Sequence, residues 1–246
     1  MKILITVKII YDPKIELRQQ NGMLCFENIS RVINPIDEES VMAAVDFKNK
    51  NPGVKLSAVC IGDDVDEKIY KYVLAMGVDE AFLIRSVKHR VKDLDDLTIA
   101  KVLKKFIKIN KYDLVLTGKS TFGNNTGWVG PALAALLGWH QLYYAYNLLK
   151  FTTNELTVQC HAYNRTITFV VKLPCVLVCN FTNFIKYIGL TGIILMLNTP
   201  MKTVFLPDLH IKPNSCVETM ELLAIDKPRK CKFFDDVNSL MDIIFG

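Results

Sequence analysis

Asp113-Leu-Val-Leu-Thr-Gly-Lys-Ser-Thr-Phe-Gly-Asn-Asn-Thr-Gly-Trp-Val-Gly-Pro-Ala-Leu-Ala-Ala-Leu-Leu-Gly138 decides how the chain is read. Leu114 to Leu116 are apolar and few enough for a strand buried on both faces. Gly118, Gly123, Gly127 and Gly130 then let the backbone turn sharply and approach a ligand. Pro131 suits the first turn of a helix, and the Ala- and Leu-rich run to Leu137 continues it. Strand, glycine-rich turn and helix start together outline a nucleotide site, because free N–H groups at a helix start attract phosphate. A plain turn between strand and helix fits the same composition. Gly118-Lys119-Ser120-Thr121 looks like the end of a P-loop, but that motif needs a glycine where this chain has Asp113. The spacing of a dinucleotide fingerprint is missing as well.

Upstream, strands and helices alternate. Ile3 to Val7 is a first strand, left through the turn signal Ile10-Tyr11-Asp12-Pro13. Asn21-Gly22 marks a hairpin, and Asn34-Pro35-Ile36-Asp37 opens a helix over about 37–50. Val54 to Ile61 is a strand. Val65, Ile69, Tyr72, Val73 and Met76 form one stripe of a helix that Gly77 ends. Ala81 to Ile84 is a strand, and Asp95-Asp96 opens a helix with Ile99, Leu103 and Phe106 inward. The alternation predicts an α/β fold with a mostly parallel sheet and helices on both faces. Gln141–Phe151, Glu155–His161, Thr166–Lys172 and Cys175–Phe181 read as added strands, antiparallel in part. From Ile185 the chain becomes an irregular, apolar C-terminal arm with a last helix from Asp235 to Phe245. The division expected is a nucleotide-binding domain over 1–184 and an arm over 185–246 that packs on a partner.

Half of the 246 residues are hydrophobic and the net charge is +5, enough for a sizeable core and too mild for a nucleic-acid tail. Lys101, Lys104, Lys105, Lys108 and Lys111 spread over a solvated helix face. An odd number of cysteines, seven, without metal or redox spacing, suits buried free thiols in a reducing cytoplasm. No apolar run is long enough to span a bilayer. His89, His140, His161 and His210 lack ligand spacing, and no Ser or Cys nucleophile motif occurs. Glu38 and Glu39 fall in a helix's first turn, where the dipole accounts for them. With a ligand cradle and no catalytic constellation, the chain reads as a binding or carrier subunit rather than a self-sufficient enzyme.

In order, several motifs resemble the β subunits of electron transfer flavoproteins. Val7-Lys8 followed by Asp12 resembles that family's Val-Lys-x-x-x-Asp, and Asn34-Pro35-Ile36-Asp37 its Asn-Pro-Phe/Tyr-Asp. Leu74-Ala75-Met76-Gly77-Val78-Asp79 resembles Leu-Ala-Met-Gly-Ala-Asp. Gly118-Lys119 with Thr126, Val129-Gly130-Pro131 and Leu136-Leu137-Gly138-Trp139 cover the nucleotide loop.

The resemblance implies a Rossmann-like domain in a heterodimer with an α subunit. FAD would lie mainly on α and shuttle electrons from a flavin dehydrogenase such as an acyl-CoA dehydrogenase. The β subunit would bury a second nucleotide, AMP or FAD. The contacts implied are Thr6, Val7 and Lys8; Asn34, Pro35, Ile36 and Asp37; Ile61; and Gly118, Lys119, Ser120, Gly123, Asn124, Asn125, Thr126, Gly127, Trp128 and Val129. Asn34 serves equally well to organise the turn before Pro35, and Asp37 to stabilise its helix. Thr-x-x-Val-Gly-Pro resembles the electron-bifurcating branch and tilts the second nucleotide towards FAD, although Gly123-Asn124-Asn125-Thr126 replaces that branch's Asp-Gly-Asp-Thr. Partner docking maps to Tyr187 and Leu190, in a segment whose usual lysines give way to Ile193-Ile194-Leu195-Met196-Leu197. Leu190 serves as well as core. A stand-alone adenine-nucleotide sensor of the universal-stress type is the competing function, and the apolar arm is what such a sensor would not need.

Overall fold

The computed structural model describes residues 1–15, 18–20, 23–26, 29–64, 66–85, 94–121, 126–182, 188–211, 215–217, 220, 231, 233–234 and 236–245. Contacts divide the chain into two compact units, Met1–Glu16 with Asn28–Thr219, and Leu17–Glu27 with Met220–Gly246.

In the first unit the strands β1 (Lys2–Thr6) and β2 (Ile9–Tyr11) open the chain. The second unit contributes β3 (Arg18–Gln20) and β4 (Met23–Cys25), paired antiparallel around the expected Asn21-Gly22, which itself lies outside the described residues. Then follow β5 (Arg31–Ile33), α1 (Pro35–Lys50), β6 (Lys55–Ile61), α2 (Asp66–Tyr70), α3 (Tyr72–Ala75), β7 (Glu80–Arg85), α4 (Asp96–Asn110), β8 (Leu114–Gly118) and α5 (Val129–Leu137). A ribbon of β9 (His140–Phe151), β10 (Glu155–Ala162) and β11 (Arg165–Lys172) leads to β12 (Cys175–Cys179), α6 (Leu190–Asn198) and β13 (Lys202–Phe205). The helix α7 (Val237–Phe245) belongs to the second unit.

Nine strands form one sheet in the order β11-β10-β9-β12-β8-β1-β6-β7-β13. From β9 to β13 all pairings are parallel, and β10 and β11 are the antiparallel extension. Alternating side chains on the central strands β12, β8, β1, β6 and β7 feed two cores. In β1, Ile3 and Ile5 pack with Val41, Ala44 and Val45 of α1, whereas Leu4 packs on the opposite face with Val102, Leu103 and Phe106 of α4. Helices therefore cover both faces, as the strand-helix alternation requires.

Three local differences from the sequence expectation have physical causes. Ile10 and Tyr11 are not turn but strand, because Ile9–Tyr11 pairs antiparallel with Arg31–Ile33, and the turn falls instead at Asp12, whose carboxylate accepts the Lys14 N–H at 2.9 Å. The helix expected to reach Met76 is broken at Lys71, where the Leu74 N–H bonds to the Lys71 carbonyl and tightens the turn. Of the expected stripe Val73 and Met76 are buried, but Tyr72 is 42 % exposed and Tyr70 is buried in its place, while Val65 lies outside the described residues. Lys202–Phe205, after Pro200, adds a parallel edge strand to β7.

The segment Leu74 to Asp79 is a brace for this layer. Gly77, at φ +111°, reverses the chain, its carbonyl accepts the Lys48 ammonium at 2.8 Å, and Asp79 receives both that ammonium and the Leu56 N–H. On the other face, Gly130 brings α5 against the sheet: a Cβ there would lie 2.6 Å from both Thr117 Oγ1 and Val178 Cγ2. Gly→Ala in a helix ordinarily stabilises by about 1 kcal/mol. Here overpacking reverses the sign, and Gly130→Ala is expected to cost about 1–3 kcal/mol in urea unfolding. A stabilised variant would show that the helix does not sit this close.

Candidate functional site

The parallel order changes direction between β1 and β8. From β1 the chain builds outward through β6 and β7, then α4 carries it back over to β8 on the other side of β1. At such a switch point the loops leaving the two strands diverge and leave a crevice at the carboxyl edge of the sheet. Thr6 ends β1 there and Val7 and Lys8 follow it, Gly118, Lys119 and Ser120 end or follow β8, and Ile61 ends the neighbouring β6. The residues expected at this edge from three distant stretches are thus brought together.

The start of α1 ties them. Asn34 is fully buried, its N–H donates to the Lys8 carbonyl at 2.9 Å, and its side-chain amide donates to the Ser120 carbonyl at 3.1 Å. Asn34 makes no side-chain cap to α1, so its part in this turn is to join the loops after β1 and β8. Asp37, buried one turn into the helix, accepts the Lys8 N–H at 2.9 Å. Its other oxygen lies against Gly118, where a Cβ would collide with it. Glycine is required there for clearance.

Burial pushes the Asp37 carboxyl up to about 7, against the opposing pull of the Lys8 N–H and the Asn34 side chain. A group that is neutral in a large share of molecules near neutrality limits the negative charge at a crevice able to take an anion. The same burial raises the thiols of Cys60 and Cys179, which stay protonated within the sheet.

The start of α5 supplies donors. Trp128, at the helix start, makes no side-chain cap, and the first turn contains no acid. By contrast α4 is capped by Asp95, whose carboxylate accepts the Thr98 N–H at 2.8 Å. The Val129 and Gly130 N–H groups therefore offer positive dipole without a capping side chain. Gly127 precedes them at φ +66°, and a Cβ on it would lie 2.8 Å from the Tyr143 hydroxyl and 2.9 Å from the Lys119 carbonyl. The cradle admits no side chain at Gly127. Lys119 donates its N–H to the Cys179 carbonyl at 3.0 Å, anchoring the outgoing loop to β12.

Thr126, expected to offer its hydroxyl to phosphate, donates it to Asp96 at the start of α4, 2.5 Å away. This long-range partner has no sequence signature. Trp128 is largely exposed at 69 %. Pro35 and Ile36 contribute through the helix start they build. Gly123, Asn124 and Asn125 lie outside the described residues, as does Tyr187. Leu190 is 72 % exposed at the start of α6, outside the core. Sequence reasoning missed Tyr143, whose hydroxyl donates to the Lys119 carbonyl at 3.3 Å, because nothing in a strand-like run marks one tyrosine as facing a distant loop. No described helix is long and apolar enough to cross a membrane.

A titration follows from Asp37. Between its ordinary value of 3.8 and about 7 the folded chain keeps a proton that the unfolded chain has released, so folding weakens as pH rises through that window. Asp37→Asn is expected to remove most of this slope. Relative to the parent, the variant should gain up to about 4 kcal/mol between pH 4 and pH 8 in denaturant melts. Parallel pH dependences for parent and variant would contradict the buried proton. Glu38 and Glu39, raised by burial in the same direction, contribute to the slope that remains.

Comparison with known proteins gives the family. Residues 23–192 match the family model described as "Electron transfer flavoprotein domain". The chain is 24% identical to the electron transfer flavoprotein subunit beta of Dictyostelium discoideum over 99% of this chain and 96% of that protein. It is 27% identical to the mitochondrial subunit beta of Arabidopsis thaliana over 98% and 96%. It is 26% identical to the caffeyl-CoA reductase-Etf complex subunit CarD of Acetobacterium woodii over 88% and 82%. The chain belongs to the electron transfer flavoprotein domain family, and the relatives it resembles from end to end are subunits of the beta type.

Proposed function

We propose that this chain is the β subunit of a heterodimeric electron transfer flavoprotein, burying an adenine nucleotide while an α subunit holds the FAD that carries electrons. The observation that carries the proposal is the meeting, at the β1/β8 switch point, of an uncapped helix start with a glycine-lined turn. A phosphate would rest on the Val129 and Gly130 N–H groups, and Gly118 and Gly127 leave room for close approach. Adenine would lie towards Val7, Asn34 and Ile61, where Asn34 already fixes the loops on either side. Pro35, Ile36 and Asp37 hold this wall in place, and Lys119, Ser120 and Thr126 border the phosphate side. The bound FAD supplies the redox chemistry. This chain's residues bind, orient and exclude water.

Exposed apolar surface supports the partner. Helix α6 has no buried residue, and Leu190 and Leu197 are 72 % and 67 % exposed. Helix α7 likewise exposes Val237, Ile243, Ile244 and Phe245. Surfaces of this kind are covered in a complex. Within the C-terminal arm over 185–246, we assign the dehydrogenase to α6, with Leu190 as an anchor, and the α subunit to the part that follows, which includes α7. The seven free thiols suit a reducing compartment such as the cytoplasm.

The second nucleotide is AMP in the shuttle reading and FAD in the bifurcating one. The test is co-expression with an α subunit, denaturation of the purified complex and chromatography of what is released. AMP and FAD in equal amount assign a simple shuttle, whereas FAD in double amount and no AMP assigns a bifurcating protein. A complex releasing one FAD and no second nucleotide would contradict the proposal.

A further inference from the structure

Strand β9 breaks its own regularity beside the nucleotide edge. Tyr143 pairs with Val178 and Ala145 with Cys179, so Tyr144 is an extra residue, a bulge. Tyr144 adopts φ +57°, a left-handed conformation that a bulky side chain rarely takes and that concentrates at functional sites. In a regular strand Tyr143 and Tyr144 would point to opposite faces. The bulge instead sets their rings edge to face, with centroids 4.8 Å apart. Both rings border the turn after β8: the Tyr143 hydroxyl bonds the Lys119 carbonyl and abuts Gly127, and the Lys119 ammonium lies over the Tyr144 ring, 5.6 Å from its centroid. Gly127 stands just before the donors of α5.

We propose that Tyr144, turned by the bulge and backed by Tyr143, is a positioning residue that holds the Lys119 ammonium for the phosphate of an adenine nucleotide. This inference rests on the nucleotide reading of the β1/β8 edge and adds how that site selects a phosphorylated ligand. A lysine on an exposed turn would otherwise sample many rotamers. The ring's negative face restricts it at modest energy, and the αL backbone is the cost of aiming that ring. Tyr143 fixes the turn itself by its hydroxyl. Adenosine, lacking phosphate, has nothing for the ammonium to meet.

The test is calorimetric titration of the full chain with AMP and with adenosine. Tyr144→Asn removes the ring yet suits positive φ, so its melting temperature should not fall. It is expected to weaken AMP binding about five-fold and to leave adenosine binding unchanged. Lys119→Met should do the same, and the double variant should bind AMP no more weakly than Lys119→Met alone. Tyr144→Phe keeps the ring and should retain the parent affinity. Equal losses for AMP and adenosine, additive losses in the double variant, or a Tyr144→Phe variant as weak as Tyr144→Asn would overturn the proposal. A parent chain that binds neither ligand would remove the nucleotide reading itself, and this inference with it.

Discussion

A buried carboxylate wedged beneath a glycine holds the carboxyl edge of the sheet together. Asp37 accepts the Lys8 N–H and lies against Gly118, so one side chain of α1 fixes the exits of both β1 and β8. Asn34 repeats the connection from the adjacent turn through Lys8 and Ser120. These ties give two loops at a switch point a shared support. The burial that gives the tie its rigidity also makes the charged carboxylate unfavourable, and the proton held near neutrality is the consequence. In the proposed nucleotide site stability and ligand chemistry would meet here, since a neutral acid repels a phosphate less than a carboxylate does.

The two core layers place this edge. Ile3, Leu4 and Ile5 divide between the faces of the sheet, which obliges α1 to cover one side and α4 and α5 the other. The crossover from β7 through α4 to β8 then points the starts of α1 and α5 at the same end of β1 and β8. Gly130, pressed between Thr117 and Val178, sets how near α5 can come. The proposed anion site of backbone N–H groups would depend on that distance, so packing inside the domain governs the geometry at its edge.

Much of this was legible from residue patterns because the deciding signals are local. Buried strand runs such as Leu114–Leu116, the Asp95 cap and the glycine at 77 dictate backbone behaviour within a few neighbours. The family motifs likewise led to the residues now seen around Asn34 and Gly118. What escaped depends on partners far along the chain. The Thr126 hydroxyl is claimed by Asp96, Lys202–Phe205 becomes a strand only because β7 offers an edge, and the β9 bulge is set by register against β12. The tightening at Lys71 escaped because Val73 and Met76 beyond it are still buried, so apolar spacing alone does not register that Tyr70 rather than Tyr72 faces the core.

The central claim, that an adenine nucleotide sits where the loops after β1 and β8 meet the start of α5, is most directly tested by hydrogen exchange. The protein would be compared stripped of nucleotide and reloaded with AMP, with amide protection followed peptide by peptide. Protection is expected in peptides covering Val7 and Lys8, Lys119 and Ser120, and Val129 and Gly130, with little change at the β7–β13 edge. Protection confined to that edge or to the β10–β11 ribbon, with the switch-point peptides unmoved, would contradict it.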